Sequence, residues 1–419
     1  MKTLSPKYTK PFIVALCSLV YFVSYFSRKD FAAVMAGMLK ESVIDKSQGG
    51  LIGMGLFICY GVGQLISGFL GDKLKPSYLI MFGLSTTALA NILMPFMPSG
   101  YAMIPVWAVN GFAQAMLWPP IVRILSDNLD HEAFVKANLV VTSAAHVSTI
   151  LLYLYVPLCL TKFDWKTVFY SASALAALAL LVFILALILI LPKDVIKTPE
   201  RKTKAQGEIG EARYSSLLMR AGIIPIFACI IMMGFLRDGI ESWLPTLYSE
   251  AFGRDASESI LVSVSLPIFS ILSIVIITAL HKTKTFKNES LGSSILFGAV
   301  IIFAIPMALL ITSSATVSRF ICLILACAVC ACMHGCNFLL ISCLPGRFSK
   351  HGKAATTSGF CNAFTYVGAA ISTYGMAVIS DNLGWRATVI SWIIIGALGM
   401  IFTAISLKSY TKFITEEKD

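Results

Sequence analysis

The chain has 419 residues, 57% hydrophobic and 13% charged, with a mean hydropathy of +0.81. Soluble proteins carry about 25% charged residues, so this composition excludes a soluble globular protein and leaves a polytopic helical membrane protein, long enough for about twelve spans. The net charge of +11 lies in short loops between apolar runs, which argues against a nucleic-acid partner and fits the positive-inside pattern.

In chain order the apolar segments run over 11–38, 48–71, 77–97, 101–126, 135–160, 166–192, 219–248, 257–281, 290–312, 316–344, 354–380 and 385–408. The N-terminal "MKTLSPKYTKPFIVALCSLVYF" mimics a signal peptide. No small-residue cleavage site directly follows it, so an uncleaved first span is expected. The long polar stretch is "PKDVIKTPERKTKAQGEIGEARYSS", near the middle. The expected plan is therefore an all-α bundle of 12 transmembrane helices: a six-helix half over 1–192, a cytoplasmic linker over 193–217 and a second six-helix half over 218–419. With the N-terminus inside, twenty-three of the 33 Lys and Arg fall in inside segments and seven in outside loops. That bias predicts cytoplasmic termini and linker.

The first span holds "YFSRKD", placing Arg28, Lys29 and Asp30 inside an apolar run. A charge there costs roughly 2.5–3.5 kcal/mol on insertion scales and requires a reason. The seventh span holds "GFLRDGIESW", with Arg237 half a chain away in the same Phe-x-Arg context. "KANLVVTSAAH" and "KAATTSGFCNA" open the fifth and eleventh spans alike. Two halves repeated in this way are the plan of many secondary transporters, whose substrate site lies at the midplane between the repeats. Two arginines at matching positions favour an anion, because the guanidinium stays charged and its fork matches phosphate or carboxylate oxygens. The structural alternative is that Arg28 and Arg237 merely neutralise Asp30 and Asp238.

Other polar residues on these spans are candidates by position. Tyr21 and Tyr25 precede Arg28 by seven and three residues and share its helix face. Lys29 points about 100° away from Arg28, toward another part of the cavity or a neighbouring helix. His146 in the fifth span can hydrogen-bond a phosphoryl oxygen or take up a proton. Asn362 and Tyr366 form an i,i+4 pair in the eleventh. His334, in the tenth span, reads as an interior packing residue. The five cysteines beside it, Cys322, Cys327, Cys330, Cys332 and Cys336, read as small apolar packing residues, with no spacing that closes a four-ligand metal site. At the end of the second span, "GFLGDKLKPS" carries Gly68, Asp72 and Lys73; Asp72 paired with Arg123 or with a helix N-terminus would form a contact that breaks on opening, a conformational latch.

These residues resemble the major facilitator superfamily and, within it, the organophosphate:phosphate antiporter family of glycerol-3-phosphate and hexose-6-phosphate transporters. Gly68-x-x-x-Asp72-Lys73 is similar to the superfamily loop motif, with His281-Lys282 where its second copy would have an acid. "SYFSRKDF", "NGFAQAMLWPP" and "FLRDGIESWLPT" resemble the family's motifs in spans 1, 4 and 7. "SAAH" and "TTSGFCNAFTYVG" match its regions in spans 5 and 11. The resemblance implies exchange of inorganic phosphate for an organic phosphate ester by alternating access in the cell membrane. Arg28 and Arg237 would hold the phosphoryl group, with His146 and Tyr366 nearby. Its members' behaviour implies a monomer in the lipid bilayer. Departures are Gln64 in place of a span-2 lysine, Asp238 directly after Arg237, and Gly234 in place of a tyrosine. A glycine there suggests room for a bulkier substrate.

The expectation is a carrier with no cofactor or metal and not an enzyme, since no nucleophile–base pair or nucleotide loop is present. An exchanger is favoured over a proton symporter because Asp30, Asp238 and Glu241 all lie near an arginine. Two alternatives stand: a proton-coupled symporter of another organic anion, and a transport-dead sugar-phosphate sensor.

Overall fold

The computed structural model describes residues 6–71, 74–191, 211–283, 285–313, 315–351 and 353–416, and among these every regular element is helical. By internal contacts the chain divides into two compact units, Met1–Lys202 with Ala256–Val264, and Thr203–Asp255 with Ser265–Asp419. The first contains α1 (Pro6–Lys40), α2 (Lys46–Gly71), α3 (Pro76–Leu93), α4 (Gly100–Ala115), α5 (Trp118–Asn128), α6 (His131–Lys162) and α7 (Trp165–Leu185). The chain continues through α8 (Glu211–Arg220), α9 (Ile223–Phe252) and α10 (Ala256–Val262), the last of which packs on α6 within the first unit. The second unit is completed by α11 (Ser265–Leu280), α12 (Glu289–Leu310), α13 (Thr316–Asn337) and α14 (Ala354–Glu416). Most of the polar segment 193–217 lies outside the described residues; its end forms the start of α8.

Local chemistry sets the helix ends. Asp130 and Asp164 cap α6 and α7, their carboxylates accepting the Ala133 amide at 3.0 Å and the Thr167 amide at 3.1 Å. Asn288 caps α12 in the same way through the Leu291 amide at 3.1 Å. Each satisfies an amide that has no intrahelical partner. α1 runs unbroken through Arg28, Lys29 and Asp30, as the sequence predicts.

Among the described residues, ten helices are long and apolar enough to cross a membrane. Two departures reconcile that count with the twelve predicted spans. The fourth span is broken: α4 ends at Ala115 and α5 restarts at Trp118, with Pro119 and Pro120 in its first turn. Proline has no amide to continue the ladder from α4, yet it suits the start of a helix. The eleventh and twelfth spans run together as α14, broken at Gly384, whose φ of 78° and ψ of 173° lie in a region open essentially to glycine alone.

The repeat read from the sequence recurs in the packing inside each unit. In the first, α1 packs on α6, α2 on α4 and α3 on α7; in the second, α9 packs on α14, α11 on α13 and α12 on α14. In span numbers these are the pairs 1–5, 2–4 and 3–6, then 7–11, 8–10 and 9–12. Polarity is distributed as lipid requires. Ile302 and Val317 are each 68% exposed, whereas Asn91 and Asn110 are fully buried. Exposed apolar faces meet acyl chains, and interior amides bond between helices.

Candidate functional site

In the first unit the predicted face of α1 is realised and extended. The Arg28 guanidinium carbon lies 4.3 Å from the centre of the Tyr25 ring and 4.9 Å from that of Tyr60 on α2. Tyr21 contacts Tyr25 edge-on at 5.1 Å and lies 4.6 Å from Trp118, the first residue of α5. A cation over aromatic faces gains about 0.5–2 kcal/mol, which offsets part of the cost of placing it in the membrane. Tyr60 was not among the candidates; one signal was available, its position one turn before Gln64 on the same helix. The Gln64 amide donates to the Ala115 carbonyl at 3.5 Å, reaching α4. Lys29 is buried. The half-buried His146 bonds through Nδ1 to the carbonyl of Thr142, one turn back on α6, at 3.1 Å.

Behind this face lies a buried amide network. The side chains of Asn91 on α3 and Asn110 on α4 both donate to the Ser27 carbonyl, at 3.2 and 3.1 Å. Gln114 accepts from the Ser24 hydroxyl and donates to Thr87 at 3.2 Å. "NGFAQAMLWPP" is thus the segment that pins α1: Asn110 and Gln114 hold its carbonyl and hydroxyl, and Trp118 packs against Tyr21 with the rings tilted. Asp30 departs from expectation. Its Oδ1 accepts the Phe31 amide at 2.7 Å, and its fully buried Oδ2 has no hydrogen-bond partner, so no hydrogen bond joins it to Arg28. The structural alternative, in which Asp30 merely neutralises Arg28, has no hydrogen bond between the two to carry it. A helix turn directs the side chain back onto its own backbone instead.

In the second unit Arg237 takes the opposite course. It donates to Asp238 Oδ2 at 2.7 Å and to Asn337 Oδ1 on α13. Glu241 on the same helix and Tyr366 on α14 act electrostatically on the same charge. Asn362, one turn before Tyr366, donates to its own helix at the Ser358 carbonyl, 3.1 Å away. His334 is more than an interior packing residue: its Nε2 lies 2.7 Å from Glu241 Oε1. The sequence signal was the i,i+4 spacing of Arg237 and Glu241 on α9. Nothing local announced that His334 would lie opposite.

Gly234 is a correction. A Cβ added there would lie 2.2 Å from the Thr365 carbonyl oxygen, and one at Gly368 would lie 2.1 Å from that of Ile231. The space that a larger residue would occupy is filled by the backbone of α14, not left for substrate. These two glycines permit the close approach of α9 and α14.

Of the predicted latch, Asp72 and Lys73 lie outside the described residues, Gly68 lies within α2, and Arg123 pairs with Asp127 on its own helix at 3.4 Å. In the second unit the acid missing at His281-Lys282 comes from the next helix. Glu289, at the start of α12, accepts from Arg347 at 2.9 and 2.7 Å and from Tyr410 at 2.9 Å, with His281 at 3.7 Å. The five cysteines of α13 carry free thiols; Cys327 and Cys336 contact Ser265 and the Ser293 carbonyl of neighbouring helices.

Paired helices repeated in two units, apolar outside and with a guanidinium held inside each, define a membrane carrier fold. The chain belongs to the Major Facilitator Superfamily, which it matches over residues 17–373, and its relatives are those of the organophosphate:phosphate antiporter family that its motifs resemble. It is 24% identical to the glycerol-3-phosphate transporter of Bacillus subtilis, covering 91% of this chain and 88% of that one. It is 22% identical to the membrane sensor protein UhpC of Salmonella typhimurium, covering 90% and 87%. A probable hexose phosphate transport protein of Chlamydia trachomatis is 33% identical, over 29% of this chain and 26% of its own length. Among solved structures, a bacterial homolog of the human lysosomal transporter Spinster aligns with a TM-score of 0.79 at 12% identity, covering 97% and 98%. The peptide transporter POT aligns at 0.77 and 13%, covering 98% and 99%. The family and the fold are those of transporters.

Proposed function

We propose that the protein is a secondary carrier that exchanges an organic phosphate ester, of the sugar-phosphate or glycerol-phosphate type, for inorganic phosphate by alternating access. Both termini face the cytoplasm, the membrane is the cell membrane, and the functional unit is one chain. In this reading the chain is two six-helix halves, 1–192 and 218–419, joined by the polar segment 193–217. Arg28 and Arg237 bind the phosphoryl oxygens, Tyr25, Tyr60 and Tyr366 surround the guanidiniums, and His146 adds a hydrogen bond or a proton site.

The observation that carries this reading is the equivalence of Arg28 and Arg237. They lie on the corresponding helices α1 and α9, which pack on α6 and α14, the paired helices that hold His146 and Tyr366. An always-charged fork in corresponding helices of both repeats suits a tetrahedral anion. The relatives that span nine-tenths of the chain are named for glycerol-3-phosphate transport or as a sensor.

The test is uptake of labelled phosphate into proteoliposomes preloaded with phosphate, for the wild type and for Arg28→Lys and Arg237→Lys. Exchange in the wild type that is lost in both variants supports the reading. A folded wild type that exchanges neither phosphate nor any phosphate ester sinks it. A second reading, a sensor without flux, is favoured by the sensor protein among those relatives; binding of a phosphate ester with no exchange would select it.

A further inference from the structure

Glu241 and His334 form a pair for which the exchange reading has no use. Arg237 and Glu241 are one turn apart on α9; His334 and Asn337 are one turn apart on α13. Two rungs therefore join the helices: Arg237 to Asn337, and Glu241 Oε1 to His334 Nε2 at 2.7 Å. Both rungs lie in the membrane part of the unit and neither is sealed. The side chains of Arg237, Glu241 and His334 are 13%, 17% and 14% exposed. Charged and titratable groups of the described residues surround the pair. α9 supplies Arg237 and Asp238, α13 supplies Cys330, whose sulfur lies within 4.8 Å of a Glu241 oxygen and a His334 nitrogen, and α14 supplies Tyr366, which acts electrostatically on Arg237. α11 carries no titratable side chain. The acid of α12, Glu289, is held by Arg347 and Tyr410.

Charge bookkeeping makes the pair consequential. With a neutral imidazole the cluster holds one cation and two carboxylates, a net charge of −1; with one proton added it is neutral. A dianion arriving at Arg237 meets Asp238 and Glu241 at close range. Like charges at that spacing inside a protein are strongly repulsive, and a proton on the pair relieves the repulsion.

We propose that Glu241 and His334 form a proton-binding site linked to anion binding at Arg237: the pair takes one proton from solvent as the dianion binds and returns it as the anion leaves. The linkage is reciprocal, so the proton also raises anion affinity. The proposal rests on the anion reading above and adds that the cargo is carried together with a proton.

The experiment is titration calorimetry of the intact purified protein with inorganic phosphate, in buffers of different ionisation heat near pH 7. The slope of heat against buffer enthalpy counts protons taken up per phosphate bound. Phosphate's own proton is common to all samples and cancels between the wild type and His334→Asn. The wild type is expected to take up close to one more proton per phosphate than His334→Asn, and Glu241→Gln to lose most of that difference. Phosphate binding with equal proton counts in the folded proteins overturns the proton site and leaves the anion reading standing. No phosphate binding in the wild type overturns both. Should the variants not fold, the wild type labelled with 13C at its histidine rings decides. The His334 ring, assigned by comparison with a His146→Gln variant, must change protonation when phosphate is added at constant pH; if it stays unchanged, the proposal is wrong.

Discussion

The α-carbon of Gly234 faces the Thr365 carbonyl oxygen so closely that a Cβ would lie 2.2 Å from it. The neighbour is backbone, which cannot rotate away as a side-chain tip can. Gly234→Ala therefore forces α9 and α14 apart. Overpacking of this kind costs about 1–3 kcal/mol, and a tyrosine costs more. The measurement is the thermal midpoint of the purified protein. An alanine variant with an unchanged midpoint would show that the helices separate without penalty and that the glycine is not a packing device.

Arg237→Lys retains the charge beside Asp238 but loses the planar fork that also reaches Asn337. One lost charge-assisted hydrogen bond is worth about 1.5–3 kcal/mol, or roughly ten- to a hundredfold in phosphate affinity. Calorimetry with phosphate checks this. Tyr60→Leu, which removes one of the two rings over Arg28, is expected to weaken binding by a smaller factor, about two- to tenfold.

Asp30→Asn is expected to leave the thermal midpoint unchanged or raise it. An unpaired buried carboxylate is costly. The amide keeps an oxygen for the Phe31 amide and removes the charge from the buried atom that has no hydrogen-bond partner. A marked fall in the midpoint would mean that the carboxylate charge itself is required.

Asp130 lies outside the membrane and caps α6. The Ala133 amide, then Lys10 at 3.4 Å, hold its carboxyl below the usual range. A carboxyl with a lowered folded value stabilises the fold above its unfolded value and loses that contribution as pH falls through the folded one. The wild type is thus expected to lose a small increment of stability as pH falls below about 4, an increment missing from Asp130→Ala. Melting curves of both proteins between pH 3 and 7 measure it. Parallel curves over that range would show that the cap contributes nothing.

Much of the fold was legible because it rests on local properties. Apolar run length places a span wherever about twenty residues allow one. The kink at Gly384 falls where the sequence divides the eleventh and twelfth spans, whereas the break before Pro119-Pro120 interrupts a run that reads as one span over 101–126. The Tyr21–Tyr25–Arg28 face was equally readable, since helix geometry alone brings residues three and seven apart onto one side.

By itself, then, the sequence determined the class, the spans, the repeat and the position of Arg28 and Arg237 in it. Only the tertiary structure decided what those side chains meet. Asp238 answers Arg237 while Asp30 turns to its own backbone, Tyr60 covers Arg28, Asn337 and His334 pair with α9, and Thr365 takes the space at Gly234. Each of these depends on the register of one helix against another. That register is set by the summed packing of surfaces far apart in the chain, and no single residue or spacing carries it.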